Sequence, residues 1–214
     1  MKNIDLMIFD LDGTLANTGK DLAAAVNHTL RRLGLPELQE GLIISYVGDG
    51  VETLIKRALG QAAQERHGAA LEIFLAYYGE HLLDETRLYP GVVECLTHFA
   101  GKRKILISNK RQDLTLRIVE GLGIARHFED IVGGDTYPYK KPDARLAVPY
   151  LERYNVKEER ALIVGDGPND ILLARNAGIY SCAFLNGLVA REKLLALKPD
   201  FVCEDLRELA GLFC

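Results

Sequence analysis

The chain reads as an α/β protein: a Rossmann-like, mostly parallel sheet with helices on both faces, interrupted by an inserted helical cap domain. Three observations carry that reading. From Pro90 onward, short apolar runs alternate with helix-length amphipathic stretches, the pattern that builds a parallel sheet covered on both sides. A first buried strand, Leu6-Met7-Ile8-Phe9, stands alone near the start. The next convincing strand, Ile105-Leu106-Ile107, comes only after residues 10–104. A strand-helix-strand crossover needs only about a dozen residues, so something has been inserted.

The insert reads as helix after helix. Leu22, Ala25, Val26, Leu30 and Leu33 keep helical spacing until Gly34 and Pro36 stop the run. Val51, Leu54, Ile55 and Ala58 form a second stripe ending at Gly60, and Leu71, Phe74, Leu75, Tyr78 and Leu82 a third. No alternating strand pattern occurs among them. Residues 16–86 are therefore expected to form a small helical cap on a core of residues 1–15 and 87–214, with linkers near Leu15–Gly19 and Asp84–Gly91.

In the core, Val92, Val93, Leu96 and Phe99 make a helix that feeds the strand Ile105–Ile107. Leu114, Leu116, Ile118, Val119 and Leu122 give the next helix, and Ile131-Val132 a short strand before Gly133-Gly134. A helix expected after Pro142 meets Pro149. An interior proline removes a hydrogen bond and clashes with the preceding turn, so the helix either kinks there or starts there. Ala161–Val164 is a clear buried strand, and Pro168 suits the first turn of a helix ending at Gly178. Tyr180–Leu185 and Phe201-Val202 are the last strands, and Leu206–Leu212 the last helix.

Composition narrows the function. With 48% hydrophobic residues in 214, the chain can bury a sizeable core. A formal net charge of −4 argues against a nucleic-acid partner, and no apolar stretch reaches membrane-spanning length. Acidic residues enter as early as Asp5, so no secretory leader is expected. Cys95, Cys182, Cys203 and Cys214 show no paired spacing and read as reduced thiols of a cytoplasmic protein. The histidines match no zinc spacing, and no GxxxxGK(S/T) phosphate loop or internal repeat occurs. Arg31-Arg32 and Lys102-Arg103-Lys104 read as solvated faces. A monomer and a homodimer are both compatible with these features.

Three apolar strands end in polar residues: Asp10 and Asp12 after the first, Ser108 and Asn109 after the second, and Gly165-Asp166 with Asp170 after the third. Open parallel sheets bind ligands outside the carboxyl ends of their strands, so these groups are expected to meet in one crevice. Lys140-Lys141-Pro142, after the short strand Ile131-Val132, can reach the same place. Four carboxylates gathered there cannot all stay ionised without a cation. A ligand set rich in oxygen and free of sulfur and histidine selects a hard ion. Mg²⁺ fits, because it keeps waters and binds through one or two carboxylates together with a substrate phosphate. Metal, lysine, a small hydroxyl and backbone amides describe a phosphoryl site.

The motifs FDLDGTL at Phe9–Leu15, ISNK at Ile107–Lys110, KKP at Lys140–Pro142 and GDGPND at Gly165–Asp170 occur in that order. In this the chain resembles the haloacid dehalogenase superfamily of aspartate-dependent phosphohydrolases, over nearly its whole length. Within that superfamily it looks most like the phosphoglycolate phosphatases. The stretch Asp10–Pro36, Val47-Gly48-Asp49-Gly50-Val51, Leu88-Tyr89-Pro90-Gly91 and Gly133-Gly134-Asp135-Thr136 carry that finer likeness.

The resemblance implies a Mg²⁺-dependent phosphatase that hydrolyses a small phosphomonoester, 2-phosphoglycolate first among candidates. It implies Asp10 as the nucleophile that becomes an aspartyl-phosphate. Asp12 would be the general acid for the leaving alkoxide and then the base for water, its carbonyl also binding the metal. Ser108 and the Asn109 amide would hold phosphoryl oxygens, and Lys141 would neutralise charge on the phosphate and Asp10. Lys140 reads as a solvated neighbour. Asp166 would ligate the metal directly, and Asp170 through water or by orienting the inner ligands. The turn Gly48-Asp49-Gly50 reads either as substrate-facing or as a helix start capped by Asp49 before Val51.

Some positions depart from the family pattern. Gly167 stands where serine is frequent, Asn17 where aspartate is common, and Asp143-Ala144-Arg145 replaces a His-Pro-rich turn. A sugar-phosphate mutase of β-phosphoglucomutase type or a pyrophosphatase could carry the same motifs. A non-catalytic binding protein on this fold is disfavoured by the complete acid set with Ser108 and Lys141.

Overall fold

The computed structural model describes residues 1–214, the side chain of Ala62 excepted. β1 (Leu6–Phe9) and the two-residue β2 (Ala16–Asn17) lead into helices α1 (Gly19–Arg32), α2 (Glu40–Ile44), α3 (Val51–Leu59) and α4 (His67–Glu80), after which β3 (Arg87–Leu88) returns. α5 (Val92–His98), β4 (Arg103–Ile107), α6 (Gln112–Gly121) and β5 (Asp130–Val132) follow. α7 (Val148–Tyr154), β6 (Ala161–Gly165), α8 (Pro168–Ala177), β7 (Tyr180–Phe184), α9 (Arg191–Leu195), β8 (Phe201–Cys203) and α10 (Leu209–Leu212) complete the chain.

Six strands run parallel in the order β5-β4-β1-β6-β7-β8. β1 is the centre, with Phe9 level with Leu106 of β4 on one side and Val164 of β6 on the other. All four residues of β1 are buried, because helices cover both faces. Met7 and Phe9 point into one cluster with Leu106, Leu162 and Val164, whereas Leu6 and Ile8 join Ile105, Ile107 and Leu173 in the other. Burying each such side chain contributes about 1.5–3 kcal/mol. The chain order reverses beside β1, and that is where an open parallel sheet leaves a crevice.

Helices α1 to α4 pack on one another between β1 and β4. The two chain segments joining them to the sheet are paired: β2 and β3 form an antiparallel ribbon, Ala16 opposite Leu88 and Asn17 opposite Arg87. Just beyond it, the buried carboxylate of Asp21 in α1 accepts hydrogen bonds from the backbone N–H of Glu85 (3.0 Å) and from the N–H and hydroxyl of Thr86 (2.8 and 2.7 Å).

The structure differs from expectation in a few places. Pro149 lies in the first turn of α7, after a separate 3₁₀ turn at Ala144–Leu146, so the helix starts there rather than kinking. The last helix is split into a 3₁₀ turn, Leu206–Glu208, and α10. Lys104 is no solvated residue. It is 3% exposed, and its ammonium donates to the Phe99 and Lys102 carbonyls (2.6 and 3.0 Å) past the end of α5, where the helix dipole favours a cation.

Candidate active site

Asp10, Ser108 and Asp166 each directly follow their strands, β1, β4 and β6, whose registers are level. Their side chains consequently reach the same crevice from three adjacent strands. Asp170 enters from the first turn of α8, where its carboxylate accepts the Gly167 N–H (3.0 Å). Asp10, Asp166 and Asp170 each offer an oxygen within 4.8 Å of the others. Lys141 lies among them, with Nζ 2.7 Å from both Asp10 Oδ1 and Asp170 Oδ1.

Asp166 is held tightly from two sides. Thr14 Oγ1 donates to Oδ1 (2.9 Å) and the Leu188 N–H to Oδ2 (2.8 Å). Room for it depends on glycines: a Cβ at Gly13 or at Gly187 would overlap the Asp166 side chain. Gly13 also has φ +85°, a conformation glycine adopts without strain.

The electrostatics describe an unbalanced cluster. Burial, with repulsion from Asp10 and Asp170, pushes Asp166 up to about 8 from the ordinary 3.8. Burial also raises Asp10 to about 7, Lys141 opposing and Asp170 and Asp12 adding to it. Burial works against the Lys141 charge, but Asp10 and Asp170 outweigh it and hold the ammonium above its usual range. One lysine therefore leaves the three acids undercompensated. Among the described residues the Lys141 ammonium is the one group set against Asp10 Oδ1, and that buried oxygen makes no further hydrogen bond. An all-oxygen set of three acids sharing one ammonium is short of positive charge and fits a hard divalent cation.

The Asp12 side chain is not part of this triad. Its Oδ1 accepts from Thr18 Oγ1 (2.6 Å) and pairs with Lys110 Nζ (2.9 Å), which also donates to the Tyr78 hydroxyl (2.9 Å). Burial opposes the Lys110 charge, yet Asp12 and Tyr78 keep it raised. Burial likewise pushes the Tyr78 hydroxyl up to about 12.

Asn109 ties three segments together. Its Oδ1 accepts the Lys141 N–H (2.9 Å), and its Nδ2 donates to the carbonyls of Lys141 (3.1 Å) and Gly48 (3.0 Å). Its side-chain amide is thus committed to the protein. The turn Gly48-Asp49-Gly50 is brought over the crevice and clasped from the core. Asn169 Nδ2 donates to the Gly48 carbonyl (3.1 Å) and to Asp49 Oδ1 (2.8 Å), and Lys140 Nζ donates to the Asp49 carbonyl. Lys140, exposed as expected, thus has a definite partner. Asp49 does not cap α3, whose N-cap residue is Gly50. Its carboxylate is taken by Asn169 and by Arg57 (2.6 Å) instead.

Two cavities meet at Asp10 and Asp12. One of about 260 Å³ reaches Lys141, Asp166, Asp170 and Arg57. The other, with about 50 Å³ of space, is walled by Leu22, Val51, Leu54 and Phe74 beside Tyr78 and Lys110. Thr14, Lys110 and Asn169 sit inside motifs legible in the sequence, although nothing there assigned them a task. Tyr78 was hidden in an apolar stripe. Leu188 acts through its backbone and left no signal.

Comparison with known proteins agrees with this geometry. Residues 7–184 match the family described as haloacid dehalogenase-like hydrolase. A phosphoglycolate phosphatase of Vibrio cholerae is 38% identical over 98% of this chain and 96% of its own. One from Agrobacterium fabrum is 36% identical over 95% of this chain and 90% of its own. A crystal structure described as a predicted phosphoglycolate phosphatase from Haemophilus somnus superposes with a TM-score of 0.93 at 30% identity, covering 99% of both chains. Together with the fold and the acid cluster, these matches make the chain a member of the haloacid dehalogenase-like hydrolase family.

Proposed function

We propose that this chain, a phosphoric monoester hydrolase, uses Mg²⁺ to hydrolyse a small phosphomonoester, with 2-phosphoglycolate the best match, through an aspartyl-phosphate on Asp10. The observation that carries the reading is the convergence of Asp10, Asp166, Asp170 and Lys141 under a clasped cap turn. Residues 16–86 act as a cap that excludes bulk water from the crevice.

The Asp10 carboxylate attacks phosphorus, dividing one difficult hydrolysis into two easier steps. Asp12 gives a proton to the departing alkoxide, then takes one from the water that cleaves the aspartyl-phosphate. Ser108 and the backbone N–H of Asn109 hold phosphoryl oxygens, and Lys141 balances charge between the phosphoryl group and Asp10. Asp10, Asp166, Asp170 and the Asp12 carbonyl are the groups that would hold Mg²⁺. When bound, the ion supplies the positive charge that three acids and one lysine lack, and it draws electron density from phosphoryl oxygens.

The small cavity bears on the substrate. Its lining sets apolar side chains beside the polar groups of Asp12, Ser108, Lys110 and Tyr78. The names of the relatives favour a phosphatase of a small ester over a hexose-phosphate mutase. Free thiols at Cys95, Cys182, Cys203 and Cys214 support a cytoplasmic setting, and no helix among the described residues is long and apolar enough to cross a membrane. Phosphate release from a panel of phosphate esters and pyrophosphate, with Mg²⁺ or EDTA, tests the proposal alongside a hexose 1-phosphate isomerisation assay. Mg²⁺-dependent release, fastest from 2-phosphoglycolate, is the expected result. Isomerisation without release would overturn it.

A further inference from the structure

We propose that Lys110 and Tyr78 form a positioning pair through which the closed cap fixes the orientation of the Asp12 carboxylate. The inference deepens the phosphatase reading and rests on it. Lys110 and Tyr78 are both buried, and Lys110 belongs to the loop after β4 whereas Tyr78 belongs to α4 of the cap. The ammonium lies 2.9 Å from Asp12 Oδ1, pairs with no other acid among the described residues, and sits 4.8 Å from the centre of the Tyr78 ring while donating to its hydroxyl. A buried ammonium is costly unless paired, so its position is set by these two partners.

The contacts to Asp12 are one-sided. Both Lys110 and Thr18 bind Oδ1, and Oδ2 has no hydrogen-bond partner among the described residues. Asp12 borders both cavities, so the fixed oxygen anchors the carboxylate while the other is left for the reacting groups. Both anchors depend on the cap. Tyr78 is part of it, and Thr18 lies in the connection between β2 and α1. Swinging the cap away removes the tyrosine from Lys110 and moves the threonine, so Asp12 is held in one orientation only when the crevice is closed. Lys110 and Tyr78 border the small cavity but pair with none of Asp10, Asp166 and Asp170. They act through Asp12.

The test follows both half-reactions with wild type, Tyr78→Phe, Lys110→Met, Lys110→Arg and the Tyr78→Phe/Lys110→Met double variant. The probes are 2-phosphoglycolate, whose alkoxide needs a proton to leave, and p-nitrophenyl phosphate, whose phenolate leaves without one. Lys110→Met is expected to lower kcat on 2-phosphoglycolate by about 100-fold with KM changed by less than about threefold. On p-nitrophenyl phosphate it keeps a rapid burst of nitrophenol while steady turnover slows, since only the second step then needs Asp12. Tyr78→Phe lowers kcat by about 5- to 10-fold, the double variant is no worse than Lys110→Met, and Lys110→Arg recovers part of the loss. Unchanged kcat, additive losses in the double variant, or a burst slowed as much as turnover overturns the inference. Tyr78→Phe and Lys110→Arg keep nearly the native volume and decide the matter even if Lys110→Met fails to fold. A wild type that hydrolyses neither ester overturns the proposed function and this inference together, whereas an active wild type with unaffected variants overturns this inference alone.

Discussion

Replacing Asp166 with asparagine should make the metal-free protein more stable at alkaline pH. The wild-type carboxyl rises from 3.8 to about 8 on folding, because it is buried beside Asp10 and Asp170. Between those two values the native state binds a proton that the unfolded state has released. Stability therefore falls as pH rises through this window and levels off above about 8. At about 1.4 kcal/mol per pH unit the full penalty is on the order of 6 kcal/mol, and relaxation with water entry brings the expected value to about 2–5 kcal/mol. Asparagine keeps the shape and the hydrogen bonds: its oxygen can accept the Leu188 N–H, and its NH₂ can donate to Thr14 Oγ1 once that hydroxyl rotates. Urea unfolding in EDTA at pH 5.5 and 8.5 measures the effect. Wild type should lose stability between the two values, while Asp166→Asn loses about 1–3 kcal/mol less and melts on the order of 10 °C higher at pH 8.5. Parallel pH profiles, or a variant weaker than wild type at pH 8.5, would refute the idea that uncompensated charge strains this site.

Asp10→Asn should abolish turnover, by about 10⁴-fold or more, with an unchanged circular dichroism spectrum and melting temperature no lower than wild type. Asp49→Ala removes the acceptor of Asn169 and Arg57 and loosens the cap turn; KM should rise by about 3- to 10-fold, with kcat falling less, in steady-state assays. Asp21→Ala leaves the Glu85 and Thr86 donors unpaired beside the β2–β3 ribbon and should destabilise the protein by about 2–4 kcal/mol in urea titrations. Gly187→Ala drives a methyl group into Asp166 and should abolish the rise in melting temperature that Mg²⁺ gives wild type.

What could be seen in the sequence follows from the length of each signal. β1, β4 and β6 are buried on both faces and appear as unbroken apolar runs, so the central strands and the acids at their ends were legible together. β2 and β3 have two residues each, too few to show any alternation, and their pairing depends on chain segments about 70 residues apart. α2 and α9 span five residues each, little more than one helical turn, and show no periodic stripe. Lys104 and Lys110 illustrate a different limit. Lys104 reads as solvated in the sequence and Lys110 has no task there, because their partners lie elsewhere in the chain: carbonyls past α5 for one, Asp12 and Tyr78 for the other. The gathering of Asp10, Asp166 and Asp170 follows from the parallel topology alone, whereas the grip on Asp166 by Leu188 is made by a backbone N–H that no side chain announces.

The most direct measurement is a rapid acid quench of the enzyme turning over phosphorus-labelled 2-phosphoglycolate with Mg²⁺, followed by peptide mapping. Label should appear on the peptide bearing Asp10 before free phosphate accumulates, and disappear in Asp10→Asn. Release of labelled phosphate with no protein-bound label, or label on another residue, would contradict the account.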